Sequence, residues 1–319
     1  SDAGLLLAEA FPERIARARG KPGELLLASG RGAFIEPTDH LVREAWLAVA
    51  ELGGGDTRDR VRLAAALDAA TLEGNLAHLI EVEDRLTREP SGKPVIRRIR
   101  RIGALVLDEK VVGAPDRATM TAALKAEIET DGLGALTWGE QARALRARLA
   151  FLRGLDEAWP DISDEGLLAS REDWLWPLLD GARSLADISD GRLAEALRGL
   201  IPWDLQRKLD DLAPTRLTTP LGSAGIDYAA AGGPRVEIRV QELFGVKAHP
   251  TVGGGRAPLT LSLLSPARRP VQVTKDLPGF WAGSWSAVRS EMRGRYPRHP
   301  WPEDPANATA TSRAKPRGT

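Results

Sequence analysis

Arginines carry the most pointed chemistry in this sequence. Arg97-Arg98-Ile99-Arg100-Arg101 places four guanidinium groups within five residues. On a strand, Arg97 and Arg101 share one face while Arg98 and Arg100 share the other, so at least one pair must meet solvent or a partner. The planar guanidinium fork holds phosphate oxygens two at a time. These four are therefore candidate nucleic-acid contacts; the alternative is an edge strand kept from aggregating by its charge. Arg31 lies in Ser29-Gly30-Arg31-Gly32, where glycines would let the backbone approach a phosphate closely. A third group comprises Arg268, Arg269, Lys275, Arg289, Arg293 and Arg295, with Arg298 nearby. Arg289 and Arg293 are one helical turn apart and would share a face. Phe280, Trp281, Trp285, Tyr296 and Trp301 interleave these cations. Rings beside arginines can stack the bases of a single strand; the competing reading is that the rings are core.

Other chemistries find no support. The sequence has no cysteine, which excludes disulfides, thiolate metal sites, iron–sulfur clusters and cysteine nucleophiles, and fits a reducing cytosol. The phosphate-loop pattern Gly-x4-Gly-Lys-Ser/Thr does not occur. Gly253-Gly254-Gly255-Arg256 runs into Ala-Pro and reads as a turn. No Gly-x-Ser-x-Gly elbow is present. His40, His78, His249 and His299 are not paired at metal-ligand spacing, and no pair of carboxylates is singled out. No catalytic residue, metal ligand or cofactor is therefore assigned. No apolar run approaches the ~18 residues of a membrane span and no signal peptide is visible, so a cytoplasmic chain without a membrane partner is expected. The sequence opens at Ser1 without a methionine and reads as a piece of a larger protein.

The positioning elements follow from charge and periodicity. The 44 basic and 44 acidic residues cancel overall, but 1–115 carries −1, 116–215 carries −7 and 216–319 carries +8. A basic end on a neutral whole points to a local anionic partner, or to docking against the acidic middle. Residues 3–19 read as helix. Strands are expected at 24–28, 33–35, 46–52, 60–67, 81–88 and 95–112, with a short helix near 71–80. That pattern predicts a small barrel, with an OB-fold leading. Helices are expected at 116–130, 138–153, 164–180, 188–200 and 203–212. Strands return at 215–219, 226–229, 235–241, 258–264 and 271–275, where Arg235, Glu237, Arg239 and Gln241 alternate with Val236, Ile238 and Val240. A helix near 284–293 follows, and 306–319 reads as a disordered tail. The expected class is α+β and multidomain: an OB-like β-barrel, a helical region, and a C-terminal mixed β-rich domain.

Several motifs carry a resemblance. They are Leu-Leu-Ser-Pro-Ala-Arg-Arg-Pro-Val-Gln-Val-Thr-Lys-Asp-Leu-Pro-Gly-Phe-Trp (263–281) and Glu-Met-Arg-Gly-Arg-Tyr-Pro-Arg-His-Pro-Trp-Pro-Glu-Asp-Pro (291–305). Gln-Glu-Leu-Phe-Gly (241–245), Ile-Asp-Tyr (226–228), Phe-Pro-Glu-Arg-Ile-Ala (11–16), Arg-Ile-Gly-Ala-Leu-Val-Leu (101–107) and Trp-Pro-Asp-Ile-Ser-Asp-Glu (159–165) agree in order and spacing. The chain resembles the C-terminal half of the HrpB family of bacterial DEAH-box ATP-dependent helicases. Trp285 departs from the tyrosine expected there. The resemblance implies RecA-like motor domains upstream. Residues 1–20 would be the tail of a helix-bundle domain, 21–115 the OB-fold-like domain, 116–214 a helical region and 215–305 the family's own C-terminal domain. It implies single-stranded RNA or DNA and the motor domains as partners. ATP and Mg would belong to the parent helicase alone. Two further readings stay open: a protein-docking module of the same helicase without nucleic-acid contact, and an independent enzyme.

Overall fold

A closed barrel and a separate three-stranded sheet build the first of two units. The structure is a computed structural model describing residues 2–54 and 57–315, and it divides into units 1–120 and 121–319. Helix α1 (Asp2–Ala10) leads through a 3-10 turn at Pro12–Arg14 into β1 (Ile15–Ala18). Strands β2 (Glu24–Leu27), β3 (Gly32–Phe34), β4 (Trp46–Gly53) and β5 (Asp59–Leu67) complete a closed barrel of order β1-β2-β3-β5-β4. Every neighbouring pair is antiparallel except β3 and β5. Leu47 and Val49 of β4 join Ala16, Leu25, Leu27, Ala33 and Val61 in one cluster. Trp46 and Ala48 turn the other way, into a cluster with Ala8, Ile15, Leu67, Leu72 and Leu76. Two apolar environments explain why Trp46-Leu47-Ala48-Val49 reads as a continuous run rather than an alternation.

Two expectations need correction here. The helix predicted over 3–19 stops at Ala10, and Ile15–Ala18 is a barrel strand. Ala and Arg have good helical propensity, but pairing with both β2 and β4 overrides that weak preference. The second concerns 81–112. After α2 (Ala69–Glu73), strands β6 (Glu81–Arg88), β7 (Pro94–Ile102) and β8 (Leu105–Gly113) form a separate three-stranded antiparallel sheet, not further barrel staves. Its β7–β8 turn sits on the barrel: Ala104 N–H donates to Ala28 O at 2.8 Å. Gly103 adopts φ +53°, and a Cβ there would fall 2.3 Å from that carbonyl oxygen.

The second unit joins helices and sheet. It includes most of α3 (Arg117–Asp131), then α4 (Glu140–Leu155), α5 (Asp164–Ala169), α6 (Arg171–Trp174), α7 (Trp176–Leu179), α8 (Asp190–Gly199), α9 (Trp203–Gln206) and α10 (Leu209–Leu212). Asp190 at the start of α8 accepts from the N–H groups of Gly139, Gln141 and Ala142, capping α4 from a neighbouring helix. Burial pushes the Asp190 carboxyl up, but those three donors outweigh it and hold it below the ordinary 3.8. Arg148 of α4, nearly buried, donates to Ala213 O at 2.7 Å and to Asp210 at 2.6 Å. The Phe151 and Tyr228 rings meet at 5.2 Å, tilted by 46°. The boundary expected at 214/215 therefore lies inside this unit.

Short strands follow: β9 (Arg216–Thr219) with β10 (Gly222–Gly225), and β12 (Thr251–Val252) with β13 (Ala257–Pro258). Residues 226–229 form only a bridge from Asp227 to Arg235 rather than the expected strand. The main sheet has order β11-β14-β15, from β11 (Arg235–Arg239), β14 (Thr260–Leu264) and β15 (Pro270–Thr274), with β11 and β14 parallel. Val236, Ile238, Leu261 and Leu263 pack with residues of α11 (Leu277–Ala282) and α12 (Trp285–Arg295). Residues 306–315 are placed, against the expectation of a disordered tail. Thr311 N–H donates to Gln241 O, Lys315 N–H donates to Arg298 O, and Ala310 is buried. Backbone pairing fixes a segment whose polar composition reads as solvated; residues 316–319 lie outside the described residues.

Gly103→Ala should lower the stability of the first unit by on the order of 1–3 kcal/mol, read by urea denaturation. In the second unit the depressed Asp190 stabilises the fold fully above pH ~5, and that share is lost as pH falls below 3.8. Asp190→Asn should reduce the unit's stability at neutral pH and flatten its acid limb; an acid limb of unchanged steepness contradicts this.

Candidate nucleic-acid interface

In the first unit the candidate arginines are spent on carboxylates. Arg31 grips Asp59 with Nε at 2.8 Å and Nη2 at 3.0 Å. Asp59 is buried and opens β5, so the clamp ties the β2–β3 turn to the one parallel pairing of the barrel. In the three-stranded sheet the partners stand opposite in register, where cross-strand charges meet best. Arg98 faces Asp84 with two bonds of 2.8 and 2.9 Å. Arg101 faces Glu81 at 3.2 Å. Arg100 faces Asp108 at 2.7 Å and reaches Glu73 of α2. Arg97 pairs diagonally with Glu109 at 3.2 Å. The bond to Arg98 holds the Asp84 carboxyl below its ordinary value, and bonds to Glu73 and Asp108 hold the Arg100 guanidinium above its own. A phosphate must displace these carboxylates to use this cluster.

The cations of the second unit are in a different condition. Arg268 and Arg269 are exposed in the β14–β15 turn, with Arg268 at φ +60°. Neither makes an ion pair among the described residues, and the same holds for exposed Arg293 on α12. Lys275 donates only to Gly232 O at 3.2 Å. Arg289 is turned inward, with Nε to Trp301 O at 2.8 Å and Nη2 to Glu303 at 3.4 Å. Arg295 pairs with Glu291 at 3.0 Å and lies over the Tyr296 ring. The shared face expected for Arg289 and Arg293 therefore offers one available cation.

The interleaved aromatics do not offer a stacking platform. Phe280, Trp281, Trp285 and Trp301 are buried together with Phe244, and Tyr296 packs against them. Phe244, Phe280 and Trp281 each meet Trp285 nearly edge-on at 5.5–6.0 Å. Each indole N–H is committed to a carbonyl: Trp281 to Val246, Trp285 to Pro302 and Trp301 to Tyr296. Rings of this size contribute most when fully desolvated, and burial with satisfied N–H groups settles them as core. An exposed tryptophan that the sequence reading passed over is Trp203, 73% exposed beside Arg207 at 5.5 Å. Its only signal was Pro202 before a polar stretch.

The described residues thus form a closed barrel with a separate three-stranded sheet, a helical array and a mixed sheet. Residues 174–305 match the family described as ATP-dependent helicase C-terminal. The chain is 39% identical over 316 residues to the ATP-dependent RNA helicase HrpB of Escherichia coli, covering 97% of this chain and 39% of that protein. It matches the crystal structure of the E. coli DExH-box NTPase HrpB at TM-score 0.60 and 38% identity, over 96% of this chain and 39% of the other. A second crystal structure, of the E. coli DEAH/RHA helicase HrpB, gives TM-score 0.50 and 35% identity over 93% and 38%. The chain thus spans about two fifths of the length of these relatives. It belongs to the HrpB family, as a counterpart of its C-terminal region.

The phosphate-loop and Asp-Glu-Ala-His patterns do not occur in the sequence, and no group of three potential ligands that could hold a metal occurs among the described residues. No helix among the described residues is long and apolar enough to cross a membrane.

Trp285→Ala should destabilise the second unit by about 3–5 kcal/mol in urea denaturation, as for a large ring removed from a core. A cost below ~1 kcal/mol would mean that the ring is not core.

Proposed function

We propose that this chain is the C-terminal accessory region of a cytoplasmic, ATP-dependent DEAH-box RNA helicase. It binds the phosphates of single-stranded RNA or DNA and supports or regulates RecA-like motor domains outside this sequence, where ATP and Mg would act. The observation that carries the reading is the cation excess at the C-terminal end of the second unit: 216–319 holds a charge of +8, with Arg268, Arg269 and Arg293 exposed and without ion pairs among the described residues. Arginines so placed meet phosphate without first giving up a carboxylate. Arg31, Arg97, Arg98, Arg100 and Arg101 join the interface only by exchanging partners, and they serve first as ties within their own unit. The barrel is of the OB type in this reading. Its order β1-β2-β3-β5-β4, with the single parallel pairing between β3 and β5, supports that.

Fluorescence anisotropy with labelled single-stranded RNA and DNA over a series of salt concentrations tests the proposal. Affinity should fall steeply with salt. Changing Arg268, Arg269 and Arg293 together to Gln should flatten the log–log slope by about 2, at ~0.7 per lost phosphate contact. An RNA preference would indicate 2′-hydroxyl readout. Lack of binding at low salt would overturn the nucleic-acid role and leave protein docking.

A further inference from the structure

The carboxyl ends of the parallel strands β11 and β14 gather polar groups that the chain leaves unanswered. Arg239 ends β11 and pairs in register with Leu264 at the end of β14. It is half-buried; its Nε is covered, and no acceptor meets it among the described residues. Gln241 follows in the 3-10 turn Val240–Leu243 and is 0% exposed. Its backbone is held by Thr311 N–H. Its Nε2 lies 3.1 Å from His299 Nδ1, and its Oε1 has no partner. If the amide turns over, Oε1 accepts from a protonated Nδ1 and the NH2 group becomes the unpaired end, so one end of this buried amide lacks a partner in either orientation.

Positive charge converges on the same place. Arg298 precedes His299 in the chain, Arg239 lies two residues before Gln241, and burial, then Arg239 and Arg298, hold the His299 imidazole below its ordinary value. Arg298 donates to Lys315 O at 3.0 Å, and the Lys315 N–H returns to Arg298 O, drawing a further basic residue in. The Tyr296 ring stands edge-on to His299 at 6.4 Å, and its hydroxyl lies 3.3 Å from Ser265, which is 1% exposed just after β14. Arg268 and Arg269 follow within the same turn, their N–H groups donating to Ser265. Glu237 and Glu242, the acidic residues beside Arg239 in sequence, make no ion pair among the described residues. Arg97, Arg98, Arg100 and Arg101 of the first unit each meet a carboxylate; Arg239 meets none among the described residues.

A buried guanidinium Nε–H without an acceptor is costly, and an anion with several oxygens relieves it. We propose that Arg239, Gln241, Arg298 and His299 form a phosphate subsite for a phosphoryl group, either of a nucleic-acid backbone or of a free phosphate compound. Only its nucleic-acid form rests on the function proposed above. With a polynucleotide, Arg268 and Arg269 would take the neighbouring phosphates.

The test compares the 319-residue chain with R239Q/R298Q, and with R192Q/R198Q as a control for the same loss of charge at exposed sites of α8. Pyrophosphate binding is read by calorimetry and single-stranded RNA binding by anisotropy. R239Q/R298Q should lose at least tenfold in affinity for whichever probe the wild type binds, while the control stays within about twofold. Its RNA salt slope should flatten by about 1.4, two contacts at ~0.7 each. Loss for RNA alone assigns the site to the polymer backbone. Loss for pyrophosphate alone keeps the subsite while removing nucleic acid from it. Equal binding by all three proteins, equal loss in the control, or wild-type binding of neither probe overturns the proposal. If the double variant does not fold, the wild type decides. The Arg239 Nε–H and His299 ring resonances should shift in NMR on titration with pyrophosphate or RNA, and unmoved resonances reject the site.

Discussion

A guanidinium drawn out of water must find an acceptor, and that constraint sorts the arginines of this chain. Arg148 is nearly buried and reaches both a carbonyl and a carboxylate, which pins α4 to the segment ending in Ala213. Arg31 meets buried Asp59 across the start of the parallel pairing. Arg98, Arg100 and Arg101 meet the carboxylates opposite them in the sheet. These are ties of the fold. Their surface exposure limits the energy of each, but their registry with cross-strand partners favours one alignment of strands over its one-residue slips. Arg268, Arg269 and Arg293 stand outside such pairings, within the stretch 216–319 where the sequence is most basic.

The same logic applies to the rings. A tryptophan can fill a core only if its N–H finds a partner, and three carbonyls supply those partners for Trp281, Trp285 and Trp301. With Phe244 and Phe280 they make a core of few, large, fixed pieces beneath a sheet of only three strands. The basic residues around this core are therefore presented by a rigid support. Its backbone also folds 306–315 back over Gln241 and Arg298, so the end of the described chain adds cations to a surface already rich in them.

In the first unit the barrel and the separate sheet meet through a backbone contact. Gly103 is the position at which this contact requires a residue without Cβ. The Arg-Ile-Gly-Ala motif joins the end of β7, its cross-strand ion pair and this close approach within four residues. Such density of constraint in a short stretch is a physical reason for that motif to stand out in the sequence.

Family membership was legible in the sequence, because Pro, Gly and Trp at fixed spacing in 263–281 and 291–305 specify turns and core rings. So was the alternation of barrel, helices and basic sheet, since hydrophobic period and turn residues act locally. Three things were decided by tertiary structure. Ile15–Ala18 became a strand because two neighbours offered it hydrogen bonds, which no local propensity records. The arginine cluster at 97–101 is paired with Glu73, Glu81, Asp84, Asp108 and Glu109, residues whose relevance depends on strand register rather than on sequence distance. Gln241 and His299 meet only because the chain after α12 returns to the residues that follow β11. Residue type announces what a side chain can do; whether an acceptor already stands beside it is settled by distant parts of the chain.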